Sequence, residues 1–281
     1  MLQLKRLSLS EIHDQAWCPR VIRNAVTDFL QYAINHWEQY TPLLPTLCYF
    51  LQRVEAERIV DLCSGGSGPW QRFSGTISRA FGETFRIVLT DLYPNLAAFR
   101  LARDLSGGIV DFREEPLDAT TLPKSFTGFR TLFGSFHHLD TTQARGVLQS
   151  SVNSGQGIGI FEMTDRRIIT LLAMLTVPLF VLLHTPKIRP FRWSRLLLTY
   201  LLPVIPLIIM VDGIVSCLRS YTTDELTQLT GSLSGAPYDW EIRELVSPKS
   251  LFPIIYAIGS PKLRDGEQSG SPGDTVERKQ G

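Results

Sequence analysis

Short apolar runs alternate with longer segments from residue 57 onward, and each run ends in a polar or glycine turn. The five clearest runs are 58–61, 85–91, 108–111, 129–133 and 157–161. The segments between them favour helices, notably at 95–104 and 141–152. Strands that alternate with helices in this way are typical of βαβ units, which build a parallel sheet with helices on both faces. We therefore predict an α/β fold, and two further runs, 241–246 and 254–258, are predicted to close the sheet.

The N-terminal segment 11–50 has a helical pattern instead. Its apolar residues recur at the spacing of one helix face, at Ile22, Val26, Phe29, Ala33, Trp37 and Tyr40. Because proline cannot continue a helix interior, Pro42 and Pro45 should end it. Near the other end of the chain, 221–231 is predicted to form a helix capped by Thr222 or Thr223.

Two stretches, 168–183 and 196–211, contain no charged residue. Each is shorter than the ~20 residues that cross a bilayer comfortably, and prolines interrupt both. A two-span anchor would also carry the basic segment 184–195 to the far side, against the positive-inside tendency. Three interpretations remain: a helical pair in the membrane interface with basic residues on lipid headgroups and Trp193 at the boundary, an apolar lid, or a buried hairpin. We favour membrane association, because both stretches are apolar nearly all round.

Composition narrows the class of protein. The chain has 281 residues and a formal net charge of +1, which argues against binding nucleic acid by broad phosphate neutralisation. A hydrophobic content of 44% is too ordinary for a disordered chain or an all-membrane protein. The four cysteines lie far apart without zinc spacing, so we expect reduced thiols in a cytoplasm and no metal site. No secretory signal is visible at the N-terminus.

The sharpest local pattern is Ile59-Val-Asp-Leu-Cys-Ser-Gly-Gly-Ser-Gly-Pro-Trp70, in which a strand runs into a loop of small residues. Such a loop lets the backbone approach a ligand closely, and N–H groups at the following helix start can hold polar atoms. A structural turn is the alternative interpretation. Asp91 ends the next strand, at a position suited to accept hydrogen bonds from ribose hydroxyls.

Five motifs, in the same order, resemble those of class I S-adenosylmethionine-dependent methyltransferases, of the group that includes quinone and small-molecule methyltransferases. They are the glycine loop at 60–67, Thr90-Asp91, and the segments 117–123, 133–139 and 221–226. The resemblance covers roughly 50–165 and 219–260. There are two departures from the family pattern: Cys63 and Ser64 stand where the first glycine and its neighbour are expected, and Phe129-Arg130 stands near the place of an acidic residue.

The resemblance implies a Rossmann-like, mostly parallel sheet whose last strand is antiparallel. It also implies S-adenosyl-L-methionine as the methyl donor, S-adenosyl-L-homocysteine as the product, and no metal. An acidic residue after the third strand, Asp118, would contact adenine. The cofactor-binding residues that it implies are Asp61, Cys63, Ser64, Gly65, Gly66, Asp91, Leu92, Asp118, Ala119, Gly134 and Ser135.

His137 and His138 follow the fourth strand, where the resemblance places methyl transfer, and they are the predicted catalytic residues. A histidine can act as a base near its ordinary pKa, although either one could simply pin the loop or pack. The predicted acceptor pocket lies between the first helix and the apolar insertion. Tyr32, His36 and Tyr40 are spaced by four and would line it, unless these aromatic side chains simply fill the core.

The resulting hypothesis is methyl transfer to a lipophilic small molecule at the cytoplasmic face of a membrane, with the lipid surface as partner and no nucleic acid. The alternatives are a non-catalytic membrane-associated adaptor and a soluble small-molecule methyltransferase with an apolar lid. The carboxylates Asp61, Asp91 and Asp118 favour an enzyme. The predicted organisation is N-terminal cap helices at 1–50, a cofactor-binding core at 51–165, a hydrophobic helical insertion at 166–218, the end of the core at 219–261 and a disordered tail at 262–281.

Overall fold

The computed structural model describes residues 4–123, 126–246 and 252–262, and a seven-stranded sheet lies at its centre. The strands are β1 (Arg58–Asp61), β2 (Arg86–Leu89), β3 (Val110–Phe112), β4 (Phe129–Phe133), β5 (Ile158–Glu162), β6 (Tyr238–Leu245) and β7 (Ile254–Pro261). Their order is β3-β2-β1-β4-β5-β7-β6. Strands β1 to β5 pair in parallel, and β7 is antiparallel to both β5 and β6. The predicted Rossmann-like α/β fold is confirmed.

Ten α-helices surround the sheet in the described residues. They are α1 (Arg20–His36), α2 (Leu44–Arg53), α3 (Trp70–Phe81), α4 (Leu96–Leu105), α5 (Thr141–Ser154), α6 (Ile168–Met174), α7 (Val177–His184), α8 (Trp193–Leu196), α9 (Val204–Arg219) and α10 (Thr223–Gly231). Thr222 caps α10 in a reciprocal pair with Glu225, as its sequence predicts. The predicted tail lies outside the described residues, apart from Lys262.

The helical pattern expected over 11–50, with its first helix ended by Pro42 and Pro45, is right in kind but wrong in its boundaries. Helix α1 begins only at Arg20 and ends at His36, and residues 11–19 form turns. Pro45 lies in the first turn of α2, where a missing N–H removes no intrahelical hydrogen bond. Pro42 likewise lies in a short 3₁₀ turn, Thr41–Leu43. The prolines therefore open new elements, and α1 ends at His36, before either of them.

The insertion packs on α1 through a small hydrophobic core of its own. Val26 and Phe29 of α1 meet Val181, Ile205 and Ile209, all buried. The apolar stripe that the sequence shows on the first helix thus has a partner, which lies in the insertion. In the described residues, Ile168–Lys187 has the length and hydropathy of a membrane span, whereas α8 and α9 could form a second only as a span bent by 81°.

Part of the basic segment between the apolar stretches turns inward, contrary to the expectation that its arginines lie on lipid headgroups. Arg195 is buried, and its guanidinium donates to Asp28 Oδ2 at 2.5 Å and to the carbonyl of Ile188. Arg192 Nε donates to the same carboxylate oxygen at 3.0 Å. Two of the four basic residues therefore tie the insertion to α1, while Lys187 and Arg189 stay exposed.

Candidate active site

A cavity of about 510 Å³ lies at the carboxyl ends of β1, β2, β4 and β5. One wall is the glycine loop with Asp91, Gly134 and Ser135, and the opposite wall comes from α1, α6, α7 and α9. Its size is ordinary for a small-molecule site. Parallel α/β sheets place ligands at this edge, and the predicted first helix and insertion do enclose it.

The backbone of the glycine loop depends on small residues. A Cβ on Gly66 would lie 2.4 Å from the carbonyl oxygen of Thr27 on α1, so only glycine lets α1 close over the loop. Asn35 Nδ2 donates to the carbonyl of Gly68 at 2.8 Å and fixes the same approach. Cys63 has a φ of 53°, in the left-handed region that glycine favours, at the position where the family pattern expects the first glycine.

Asp91 and Asp61 have different places in the site. Asp91 lines the cavity and accepts hydrogen bonds from Gly65 N at 2.7 Å and Tyr93 N at 2.8 Å. Asp61 lies beneath the loop and accepts the Thr131 hydroxyl at 2.6 Å. Burial raises the pKa of Asp61 to about 6, despite that hydrogen bond. Asp61 does not line the cavity, and its contacts fix the loop; a direct contact with a cofactor stays a prediction.

The third predicted motif lies beside the cavity and does not line it. Asp118 caps the turn Ala119–Thr121 by accepting Thr120 N at 2.8 Å. Leu117 N donates to the Asp91 carbonyl at 2.9 Å, which holds this motif next to Asp91. Leu92 is also outside the lining and is exposed. Contacts from Asp118, Ala119 or Leu92 to a cofactor remain predictions. They require that part of the cofactor lies outside this cavity.

His137 is an unsuitable general base, which corrects its predicted catalytic role. Its side chain is buried between two carboxylates, with Nδ1 2.8 Å from Glu162 Oε2 and Nε2 3.2 Å from Glu11 Oε1. Burial lowers the pKa of His137, but the charges and hydrogen bonds of Glu162 and Glu11 outweigh it and raise this pKa to about 10. The imidazole is therefore protonated at neutral pH and holds the loop after β4.

Around His137 lies a histidine–carboxylate cluster that the sequence interpretation missed. Its members are Glu11, His13, Asp14, His137, His138, Glu162 and Asp212. His138 contacts Asp14 through Nδ1 and lies 3.9 Å from Glu11 Oε2 through Nε2. Both histidines line the cavity, and His138, unlike His137, retains some exposure.

The N-terminal turn reaches this cluster through the insertion. Asp212 of α9 accepts Ile12 N at 2.7 Å and lies 2.8 Å from His13 Nδ1. Burial lowers the pKa of His13, but the Asp212 hydrogen bond and neighbouring carboxylates raise it to about 9. Ser216 of α9 donates to Glu11 at 2.9 Å. In the sequence, Glu11, His13 and Asp14 stand close together, but four residues are too few to show a helical or strand period. The sequence therefore does not predict that they join this cluster.

The three aromatic residues predicted around the acceptor do not stay together. Tyr40 lines the cavity beside Gly134 and is buried. Tyr32 and His36 are not among the lining residues. Tyr32 instead bonds His184 Nδ1 at 3.0 Å, and His36 stacks on Tyr32 at 5.0 Å between ring centroids. The spacing by four does stack two of them, but on the side of α1 that faces α7.

Comparison with solved structures finds the same overall fold at low sequence identity. A protein from Rhodobacter sphaeroides described as a putative Zn-dependent alcohol dehydrogenase matches at TM-score 0.50 and 12% identity, over 91% of this chain and 100% of its own. An O-methyltransferase family protein from Burkholderia thailandensis matches at 0.46 and 16%, over 84% and 59%. A putative O-methyltransferase from Nostoc punctiforme matches at 0.46 and 11%, over 81% and 58%.

No family profile and no curated protein matches this sequence. Two of the family motifs, the glycine loop and Asp91, nevertheless meet at one wall of the cavity. The strand order, with β7 antiparallel between β5 and β6, is that of a class I methyltransferase sheet. The chain therefore has the fold of class I S-adenosylmethionine-dependent methyltransferases.

Proposed function

We propose that this protein transfers a methyl group from S-adenosylmethionine to a lipophilic small molecule that it takes up at a membrane surface. The observation that carries the proposal is a single cavity with two unlike ends. One end holds the glycine loop and Asp91, and the other is walled by apolar side chains of α1 and the insertion. A polar cofactor and an apolar acceptor can therefore meet in one enclosed space.

The polar end fits the cofactor. Asp91 already accepts two backbone N–H groups, and its oxygens retain lone pairs for ribose hydroxyls. The Ser135 hydroxyl oxygen is buried at the cavity wall and has no hydrogen-bond partner among the described residues, so a bound ligand would satisfy it. The cofactor, when bound, supplies a methyl group already activated on a sulfonium.

The chain's own residues have three tasks in such a reaction. Asp91 and the glycine loop orient the donor, and α1 closes over the loop at Gly66 to exclude water. The apolar wall aligns the acceptor through contacts with Phe29, Met174, Val177, Phe180 and Ile209. His138 lines this cavity with part of its side chain exposed, and its Nε2 lies 3.9 Å from the nearest Glu11 oxygen, so it remains the candidate for moving a proton from the acceptor.

The insertion supports a membrane source for the acceptor. Helices α6 and α7 line the cavity with Met174, Val177 and Phe180 and also present exposed apolar side chains to solvent. The exposed set includes Ile169, Leu172, Leu175, Leu179, Leu183, Trp193 and Leu201. A contiguous apolar surface of this kind favours contact with lipid or with a partner. An acceptor dissolved in the bilayer would then have a short path between these helices.

The proposal is tested with cofactor that carries a labelled methyl group. Purified protein is incubated with it and with either a membrane lipid extract or the soluble small molecules of the same cells. We expect labelled product in the organic phase from the lipid extract. A product formed only from soluble molecules would support the soluble enzyme with an apolar lid. Cofactor binding without any product from either extract would support the non-catalytic adaptor instead.

A further inference from the structure

Three side chains of the histidine–carboxylate cluster converge on one point of the cavity wall. One ligand atom each from Glu11, His13 and His138 lies within 4.8 Å of the other two. Glu11 and His13 come from the N-terminal turn, and His138 follows β4, so the fold and not the local sequence brings them together. All three line the cavity.

The outer contacts of both histidines are those of metal ligands. His13 Nδ1 lies 2.8 Å from Asp212, and His138 Nδ1 contacts Asp14. A carboxylate accepts only, so each Nδ1 donates and each Nε2 is left to coordinate. His138 Nε2 lies 3.9 Å from Glu11 Oε2, and His13 Nε2 lies 3.6 Å from Asp14 Oδ1, while the His13 atom at 3.6 Å from Glu11 Oε2 is Nδ1. Histidines that bind metals commonly donate the other ring N–H to a carboxylate, which fixes the ring and raises its basicity.

The third ligand, the Glu11 carboxylate, is also held in place by its neighbours. Glu11 accepts the Ser216 hydroxyl at 2.9 Å and lies 3.2 Å from His137 Nε2, so its position is fixed by α9 and by the buried imidazole. Two imidazoles and one carboxylate with open positions form a common ligand set for catalytic divalent ions.

We propose that Glu11, His13 and His138 bind one divalent transition-metal ion, with Zn²⁺ as the best match to this ligand set. Ligands of one tetrahedral Zn²⁺ lie about 3.4 Å apart, so the three atoms need to approach by about 1 Å or a little more. That approach is small enough for side-chain rotation, because the three ligand atoms already lie within 4.8 Å of one another.

The remaining coordination positions open to the cavity. A ligand with an oxygen or sulfur atom would occupy them, and the ion would lower the pKa of that group. This consequence for the acceptor rests on the proposed methyl transfer, whereas the metal site itself does not. With the ion bound, His138 is a ligand, and the ion replaces it in activating the acceptor. It would place a class of acceptor, one with a hydroxyl or thiol, at the cavity wall beside this cluster.

The test uses the full-length protein after removal of metals with a chelator. Calorimetric titration with Zn²⁺ at pH 8, where protons compete less, should give one ion per chain. His13→Gln and His138→Gln should each weaken Zn²⁺ binding at least tenfold, because Gln can keep the outer hydrogen bond but is a poor ligand. His184→Gln, a histidine on α7 away from the cluster, should leave the Zn²⁺ affinity unchanged.

A second measurement needs no variant. Pulsed electron paramagnetic resonance of the Cu²⁺-loaded wild type should detect two coordinated imidazoles. The absence of stoichiometric Zn²⁺ binding, or a Cu²⁺ spectrum without imidazole coupling, would overturn the site. The cluster would then only hold the N-terminal turn in place through ion pairs. S-adenosylmethionine affinity, measured on the same samples, reports separately on the proposed function and on whether each variant is folded.

Discussion

Cys63 shows how a departure from a motif can keep its geometry. Its φ of 53° costs a non-glycine residue roughly 1–2 kcal/mol, and the residue tolerates that cost inside a loop fixed by Asn35 and Asp91. A β-branched side chain is more strained in this region. We predict that Cys63→Val lowers the free energy of unfolding by about 1–2 kcal/mol, whereas Cys63→Gly changes it by less. Urea unfolding of both variants measures this, and equal losses would contradict it.

Asp61 should make stability depend on pH. Its folded pKa of about 6 lies above the ordinary value of 3.8, so the fold prefers the protonated form. The resulting stabilisation is complete below pH 4 and is lost as the pH rises through 6, by on the order of 3 kcal/mol. Asn stays neutral at every pH, so Asp61→Asn does not lose this stabilisation. The difference in unfolding free energy, variant minus wild type, should therefore increase between pH 4 and pH 7.5.

Urea unfolding of both proteins at the two pH values measures this gain. A difference between wild type and Asp61→Asn that does not change with pH would contradict the assignment. All other titrating groups are common to the two proteins and cancel in the comparison.

At the residue scale, the sequence motifs located one wall of the site and missed the other. Cys63, Gly65 and Asp91 could be predicted because a strand end, a small-residue loop and a carboxylate follow one another along the chain. The contact of His13 with Asp212 joins residues 199 positions apart, in a turn and a helix. No periodicity marks such a pair, so it could not be read without the fold.

At the scale of elements, α1 joins the insertion to the core by a buried charge. Asp28 is fully buried and accepts from Arg192 and Arg195. Removing one member of a buried ion pair leaves the others uncompensated, so we predict that Asp28→Ala lowers the free energy of unfolding by about 3–5 kcal/mol. Asp111→Ala, which removes an exposed carboxylate, should change it by less than about 0.5 kcal/mol. Thermal and urea unfolding measure both, and similar losses would contradict this role.

The strands and most helices of the core were predictable, because alternating apolar runs dictate them. The arrangement of helices inside the insertion was not predictable, since its apolar residues cover all sides of each stretch and mark no buried face. Pro178 lies in the first turn of α7, so the stretch 168–183 forms two consecutive helices, and part of the next stretch is a π-helical turn at Leu197–Leu201. Arg192 and Arg195 looked solvent-facing because their partner, Asp28, lies on a distant helix.

For the whole molecule, the exposed apolar side chains of the insertion predict binding to lipid. The triple change Leu172→Gln, Leu179→Gln and Leu183→Gln removes exposed apolar area without touching the side chains that line the cavity. We expect it to reduce flotation with anionic lipid vesicles at least tenfold. Leu105→Gln with Val246→Gln, exposed elsewhere, is the control and should float like the wild type. A wild type that fails to float would favour the lid.

The central claim, a cofactor site made by the glycine loop and Asp91, is tested most directly by calorimetric titration with S-adenosylmethionine. Hydrogen bonds to a charged acceptor contribute about 1.5–3 kcal/mol each. Asp91→Ala should therefore weaken binding at least tenfold, while Asp111→Ala, an exposed carboxylate on the neighbouring strand β3, should bind like the wild type. Equal affinity of the wild type and Asp91→Ala, or no binding by the wild type, would contradict the claim.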